Sequence, residues 1–121
     1  MRDIKFRAWD KWNKKFVYFN VSNPSIADIE CLSIFKNIEK QQYTGLKDKN
    51  GVEIFEGDIV AYYLGFDDEK PENYKIIFDN KQCAYFMFPL NDKSRLRHFT
   101  YSAKNDCEVI GNIYENHELL N

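Results

Sequence analysis

Residues 41–63 read QQYTGLKDKNGVEIFEGDIVAYY, in which turn residues alternate with short apolar runs. Residues 48–51, Asp-Lys-Asn-Gly, predict a turn, because Asn and Gly tolerate positive φ and Asp can bond the backbone two residues on. Glu-Gly-Asp at 56–58 predicts a second turn, which leads into a strand from Ile59 to Tyr63. Frequent turns between short strands favour a mainly β fold with an antiparallel barrel-like or sandwich architecture over a doubly wound sheet.

The N-terminal residues predict a β-hairpin. Ile4, Phe6 and Ala8 recur at the two-residue period of a strand. A second strand is predicted at 15–19, and the polar residues 10–14 form a connection of hairpin length. This second strand is apolar on both faces, so we expect it to be central or covered by another subunit. Further strands are predicted at 74–78, 84–88, 99–103 and 108–114, with a helical turn at 117–120.

The segment at 25–40 is compatible with two structures, because its apolar residues match one face of a helix and also tolerate alternation. We predict a short helix within 25–32 and a strand beyond it, and this helix would make the fold α+β. A chain of 121 residues has the length of one domain. We divide it into a hairpin region at about residues 1–40 and a barrel-like core at about residues 41–121.

The composition predicts a soluble cytoplasmic protein. The chain has 17 basic and 19 acidic side chains, and 44% of its residues are hydrophobic. No apolar run is long enough to span a bilayer, and the charged N-terminus lacks the apolar centre of a signal peptide. The three cysteines are odd in number and far apart in the sequence, so we expect reduced thiols.

Charge is unevenly distributed along the chain. Residues 1–50 carry 10 basic and 6 acidic side chains, whereas residues 51–121 carry 7 and 13. Such an asymmetry can attract an anionic partner to one end, or the acidic half of a second copy. We therefore expect a homo-oligomer with a protein partner and no membrane binding.

The basic and aromatic hairpin is part of the predicted interaction surface. Aromatic rings beside cations commonly hold single-stranded nucleic acid, so nucleic-acid binding is the alternative function. The chain as a whole is acidic, however, and a structural role explains the same residues if Trp9 packs on the body and the lysines are hydrated. The predicted surface comprises Trp9, Lys11, Trp12, Lys14, Phe16, Phe19, Tyr62 and Tyr63.

Two apparent ligand-binding motifs lack the residues that their ligands require. A calcium loop that began at Asp48 would place Val52 at the fifth position, Glu53 at the sixth and Ile59 at the twelfth, where a ligand, a glycine and a glutamate are required. The glycines at 45, 51 and 57 lack the lysine and hydroxyl of a phosphate-binding loop. We therefore expect no cofactor and no metal.

The titratable residues show no catalytic pattern. His98 and His117 have no partner at a metal-motif spacing, and nothing in the sequence pairs either of them with Cys107 as a nucleophile. Asp58 is expected to bond backbone amides of its turn and not to act as a base. We expect a non-enzymatic protein. The residues assigned to structural turns are Gly45, Asp48, Asn50, Gly51, Gly57, Asp58 and Gly111.

Four blocks of this sequence resemble the YopX family of bacteriophage and prophage proteins. They are RDIKFRAWD at 2–10, QYTGLKDKNG at 42–51, IFEGDIV at 54–60 and VIGNIYEN at 109–116. His117 follows the last block, where we expect proline. The resemblance implies a small, mainly β protein without an established biochemical activity, and it supplies no catalytic or ligand-binding residues. It also implies a homo-oligomer. We therefore interpret the chain as a phage accessory protein that associates with itself and binds another macromolecule.

Overall fold

A computed structural model describes residues 3–21, 38–63, 71–90 and 96–120, and these ranges contain nine strands and two short 3-10 helices. The strands are β1 (Lys5–Asp10), β2 (Lys15–Asn20), β3 (Lys40–Lys47), β4 (Glu53–Phe55), β5 (Asp58–Tyr62), β6 (Glu72–Asp79), β7 (Ala84–Pro89), β8 (Arg97–His98) and β9 (Cys107–Asn112). The 3-10 helices are η1 (Ala103–Asp106) and η2 (His117–Leu120).

One antiparallel sheet has the strand order β2-β1-β3-β4. β1 and β2 form the predicted N-terminal hairpin, with Phe6 opposite Phe19. β3 pairs with the other side of β1 and places Gln41 opposite Arg7. Among the described strands β2 therefore lies at the end of its sheet and not at the centre.

The other antiparallel sheet has the order β8-β7-β6-β5-β9. β6 and β7 pair over their full lengths, from Tyr74 opposite Pro89 to Asp79 opposite Ala84. β5 is flanked on both sides, because Ile59 lies opposite Lys75 of β6 and also pairs with β9. This position accounts for the burial of four successive β5 residues, 58–61.

The main hydrophobic core joins the two sheets. Most of its buried residues come from the five-stranded sheet, and Ile54 comes from β4 of the other sheet. Full burial of a large apolar side chain stabilises the folded chain by roughly 1.5–3 kcal/mol. The buried members are Ile54, Val60, Tyr74, Ile76, Met87, Phe99, Ala103 and Cys107.

The predicted mainly β, antiparallel architecture is confirmed. The strands predicted at 15–19, 59–63, 74–78 and 84–88 correspond to β2, β5, β6 and β7, and the helical turn predicted at 117–120 corresponds to η2. The strand predicted at 108–114 corresponds to β9, which ends at Asn112. The helix predicted within 25–32 lies outside the described residues.

The prediction of a strand at 99–103 is wrong. Phe99 is buried in the core, but the chain then turns, and the Ala103 N–H donates to Thr100 Oγ1 at 3.2 Å as η1 begins. A threonine hydroxyl that accepts a backbone amide three residues ahead competes with strand pairing. Phe99 therefore fills the core, whereas the Thr100 hydroxyl holds the backbone at the start of η1.

The strand β3 was not predicted, and two predicted turn glycines lie inside strands. Gly45 falls within β3, where the register with β4 shifts between Tyr43 and Lys47. Gly111 falls within β9, opposite Ile59. β3 buries Gln41 and Tyr43 at alternate positions, so its period is that of a strand although its inward residues are not all apolar.

Candidate functional site

Two opposite charges from different sheets meet in the interior. Arg7 Nη2 of β1 donates to Asp58 Oδ1 of β5 at 2.7 Å, and the two side chains are only 5% and 3% exposed. The second oxygen of Asp58 accepts the Phe55 N–H at 2.8 Å. Asp58 therefore bonds a backbone amide of its turn, as predicted. It also ties the two sheets together.

Burial dominates the electrostatics of this pair. Removal from water raises the pKa of the Asp58 carboxyl, and the Arg7 charge and the Phe55 N–H oppose that rise. Burial also raises the pKa of Glu56, whose carboxylate accepts the Gln42 N–H at 2.9 Å. Both carboxylates are thus engaged by hydrogen bonds that hold the backbone.

Arg7 is fixed by further contacts. Its Nε donates to Gln41 Oε1 at 2.8 Å, and its Nη2 also donates to the Glu56 carbonyl at 3.1 Å. Its guanidinium carbon lies 4.1 Å from the ring centre of Phe16 and 4.8 Å from that of Phe55. Arg7 therefore has a fixed position between its acceptors and two aromatic rings.

Gly57 brings the backbone against this network. Its φ is +82°, and a Cβ at this position would collide with the Gln41 side-chain amide. Its N–H donates to the Ile76 carbonyl at 2.8 Å, and its carbonyl accepts the Ile113 N–H at 3.0 Å. The predicted turn at 56–58 is therefore a junction between β4, β6 and the segment after β9.

Asp48 holds the other predicted turn. Its Oδ1 accepts the N–H groups of Asn50 and Val52 at 2.8 and 2.9 Å, which closes the turn locally. Its Oδ2 accepts the Val109 N–H of β9 at 2.9 Å. A single buried carboxylate thus joins the turn at 48–51 to a strand of the opposite sheet.

The tip of the β1–β2 hairpin presents an aromatic ring to solvent. Trp12 is 84% exposed, and Lys11 Nζ lies 5.2 Å from its ring centre. Asp10 Oδ1 accepts the N–H groups of Trp12 and Asn13, and Asp10 Oδ2 accepts the Asn13 side-chain amide at 2.7 Å. These hydrogen bonds lower the pKa of Asp10 and hold the turn in one geometry.

The other predicted surface residues are not all available at the surface. Trp9 stacks on Tyr114, with ring centres 5.5 Å apart, so it packs on the body of the protein. Phe16 is half-buried, and Phe19 is only 1% exposed, so Phe19 offers no surface in this structure. Tyr62 and Tyr63 are half-buried.

Tyr62 and Tyr63 have separate surroundings. Tyr62 packs edge-on against Tyr74. Tyr63 lies under Lys49 Nζ, 3.9 Å from its ring centre, and its hydroxyl donates to Glu108 at 3.2 Å. Of the eight predicted surface residues, only the three at the hairpin tip are exposed: Lys11, Trp12 and Lys14.

A cleft of about 340 Å³ opens beside the Arg7–Asp58 pair. Its apolar walls include Phe16, Phe55 and Tyr18, which is 56% exposed. Glu53 and Glu115 are the acidic residues of its lining other than Asp58. The remaining lining residues are Val52, Val109, Gly111 and Asn112.

The histidines and cysteines lie apart. His98 of β8 packs on Phe86, with ring centres 4.5 Å apart, and His117 begins η2 at the surface. Cys83 is exposed and Cys107 is buried, both as free thiols, and burial raises the pKa of Cys107 to about 12. Within the described ranges, no three His, Cys, Asp or Glu side chains converge as a metal site.

No helix in the described part of the chain has both the length and the apolarity required to cross a membrane.

Sequence reasoning missed the parts played by Arg7 and Gln41. Neither was among the predicted site residues, yet both are buried and bonded to each other. Alternation in β1 assigns Arg7 to the face opposite Phe6. Phe16 of the same hairpin lies against its guanidinium, but its acceptors Gln41 and Asp58 are 34 and 51 positions away. The local sequence therefore contains no signal that this arginine is internal.

These features define a class of mainly β proteins in which two antiparallel sheets are tied by a buried arginine–aspartate network. The YopX family, described as YopX protein, matches residues 5–121, and the chain belongs to this family. Arg7, Gln41, Gly57 and Asp58 all fall within the matched range.

A solved structure has a similar fold. The crystal structure of protein EF1440 from Enterococcus faecalis shares 26% sequence identity with this chain, and the match covers 98% of each chain with a TM-score of 0.57. No curated protein matches the chain. The likeness therefore concerns the fold over nearly its full length.

Proposed function

We propose that this protein is a non-catalytic binding module that associates with itself and with another protein through the tip of the β1–β2 hairpin. The observation that carries the proposal is the 84% exposure of Trp12 on a turn fixed by Asp10. A large ring presented in one geometry loses little conformational entropy on binding, and such rings dominate the energetics of protein interfaces.

The buried polar residues support a non-catalytic role. Asp58 and Asp48 both accept backbone amides, and Arg7 is held between two rings and three acceptors. These contacts satisfy the groups that a reaction would need to have free. Cys107 is buried with its pKa raised, which disfavours the thiolate that acts as a nucleophile.

The proposed setting is a bacterial host cell, where the protein acts as an accessory protein of a phage or prophage. Two observations support this setting. The chain belongs to the YopX family over residues 5–121, and its sequence blocks resemble those of bacteriophage and prophage proteins. The free thiols of Cys83 and Cys107 support a reducing compartment, which is the cytoplasm in bacteria.

Light scattering coupled to size exclusion tests self-association. We expect a mass above the 14.5 kDa of one chain at micromolar concentration and at moderate salt. A mass of one chain at every concentration and salt would contradict this part of the proposal. A photo-crosslinking residue at position 12 tests for the second protein, and the same residue at position 101, also exposed, is the control.

A second candidate function is nucleic-acid binding by the same tip. The favouring observation is that Lys11, Lys14 and Lys15 are exposed around Trp12, which combines stacking with positive charge. Such binding weakens steeply with salt. Fluorescence anisotropy with labelled single-stranded and duplex DNA at low salt tests it. Trp12→Ala and Lys14→Glu should each reduce affinity, and no binding to either DNA would remove this candidate.

A further inference from the structure

The hairpin tip and the cleft beside Arg7 are two open features of the described surface. The tip projects Trp12 with exposed lysines at 11, 14 and 15. The cleft is walled by rings and contains more acidic than basic side chains. The tip therefore projects and is basic, whereas the cleft is concave and mainly acidic.

The cleft has the chemistry to receive an aromatic ring. Phe16, Tyr18 and Phe55 form its aromatic wall, and a volume of about 340 Å³ leaves room for a large side chain. Ring packing of Tyr18 on Phe55, with centres 5.6 Å apart, fixes that wall. The guanidinium of Arg7 also lines this cleft, where it lies against the rings of Phe16 and Phe55 and holds them in place.

The charges at the cleft match those at the tip. Glu53 and Glu115 are carboxylates of the lining, whereas the tip presents Lys11, Lys14 and Lys15. Glu53 is already paired with Lys5 at 2.6 Å, whereas Glu115 accepts the Asn112 side-chain amide at 2.9 Å and forms no ion pair with a described residue. Complementary charge steers association and fixes its orientation.

We propose that Trp12 of one copy inserts into the cleft of a second copy of this chain, with the tip lysines beside Glu115. This inference rests on the proposed self-association and specifies its contact. Trp12 is exposed in its own chain, so it does not occupy its own cleft. Trp12 lies in the turn between β1 and β2, and Phe16 of the cleft is adjacent in β2 to Lys15, which pairs with Asp10 at the base of that turn. The donor and acceptor surfaces are thus neighbours, and a two-fold axis between them allows reciprocal insertion and a closed dimer.

The experiment compares the association of three full-length proteins by light scattering and sedimentation across concentration. We expect the wild type to form dimers and Trp12→Ala to raise the dissociation constant by at least about tenfold, as for a central interface ring. The matched control is Tyr101→Ala, because Tyr101 is 72% exposed and also lies beside a lysine, with Lys104 Nζ 4.6 Å from its ring centre. Tyr101→Ala should dimerise like the wild type.

A mixing experiment tests which surface receives the ring. Tyr18→Lys damages the cleft and keeps the tip, whereas Trp12→Ala damages the tip and keeps the cleft. Each variant alone should dimerise weakly. A mixture should form a heterodimer more tightly than Trp12→Ala associates with itself, because one intact contact remains. Far-UV circular dichroism of each variant excludes unfolding as the cause of weak association.

The remaining outcomes overturn the inference in distinguishable ways. A wild type that stays monomeric removes both this contact and the proposed self-association. If Trp12→Ala dimerises as tightly as the wild type, self-association is retained but the Trp12 contact is ruled out. If Trp12→Ala abolishes binding to a single-stranded oligonucleotide and leaves the dimer unchanged, the tip serves nucleic acid and the inference fails.

Discussion

The Arg7 guanidinium reaches Asp58 across the space between the two sheets at 2.7 Å, and neither side chain is more than 5% exposed. The two residues are 51 positions apart. Each belongs to a strand that pairs on both sides, β1 with β2 and β3, and β5 with β6 and β9. The pair therefore links the central parts of both sheets.

Arg7→Ala should destabilise the fold by about 3–5 kcal/mol, because it leaves the Asp58 carboxylate buried without its counter-charge. Urea unfolding followed by circular dichroism measures this loss. Arg7→Met with Asp58→Asn should lose less than Arg7→Ala alone, since no unpaired charge remains and Asn can still accept the Phe55 N–H. The control is Lys5→Ala, which breaks a partly exposed ion pair and should cost less than about 1 kcal/mol. A loss for Arg7→Ala no larger than that for Lys5→Ala would contradict this account.

Gly57→Ala should destabilise the fold more than Gly51→Ala. Both glycines have φ near +83°, so both variants pay backbone strain of about 1–3 kcal/mol. Only at Gly57 does the added Cβ also meet the Gln41 side chain, whereas nothing lies within 4 Å at Gly51. The difference in the free energy of unfolding between the two variants measures the close approach. Equal losses would show that Gln41 moves aside freely.

Asp48→Ala should lower the free energy of unfolding by roughly 1–3 kcal/mol, because it removes the acceptor of three backbone N–H groups in a buried place. Asp79→Ala is the matched control, since Asp79 accepts the Lys81 N–H in an exposed turn. That control should change stability by less than about 0.5 kcal/mol, as is usual at the surface. Thermal unfolding of both variants tests the comparison, and a similar loss for both would count against the bridge to Val109.

The Asp10 carboxyl should titrate below its ordinary pKa of 3.8, mainly because it accepts the Asn13 side-chain amide. A carboxyl whose pKa is lowered in the folded state stabilises the fold at pH values above the unfolded pKa, and this contribution is lost as pH falls through the folded value. The hairpin tip should therefore loosen only in acid below pH 3.8. Carboxyl chemical shifts in an NMR titration measure the midpoint. Asn13→Ala should move it upward, and an unchanged midpoint would refute the assigned cause.

Cys107 should resist alkylation in the folded protein, because its thiol is buried and its pKa is raised to about 12. Cys83 is exposed and serves as the internal control. Iodoacetamide treatment at pH 8 followed by peptide mass spectrometry should label Cys83 first, and Cys107 only in denaturant. Equal labelling of the two in the native protein would show that the core opens around β9.

Local signals in the sequence determined the parts of the fold that depend on neighbouring residues. The turns at 48–51 and 56–58 follow from Asp, Asn and Gly, whose backbone preferences and short side chains act within two to four residues. The hairpin of β1 and β2 follows from alternation on either side of a polar connection. These elements were predictable because the interactions that specify them are close in the chain.

Only the tertiary structure decided which side of each local pattern faces inward. Gln41 is polar, so β3 lacked an apolar alternation, yet burial of Gln41 is satisfied by Arg7 from 34 residues away. Phe99 begins a segment with strand-like composition, but the Thr100 hydroxyl accepts the Ala103 N–H at the start of η1 and the strand does not form.

The sequence by itself determined a mainly β chain with two aspartate-held turns and an aromatic, basic hairpin tip. The tertiary structure decided that Trp9 packs on Tyr114 while Trp12 stays exposed, and that Asp58 bonds Arg7 as well as its own turn. The physical reason is that turn geometry depends on torsion angles and short-range hydrogen bonds, whereas burial of a ring or a charge depends on partners supplied from distant strands.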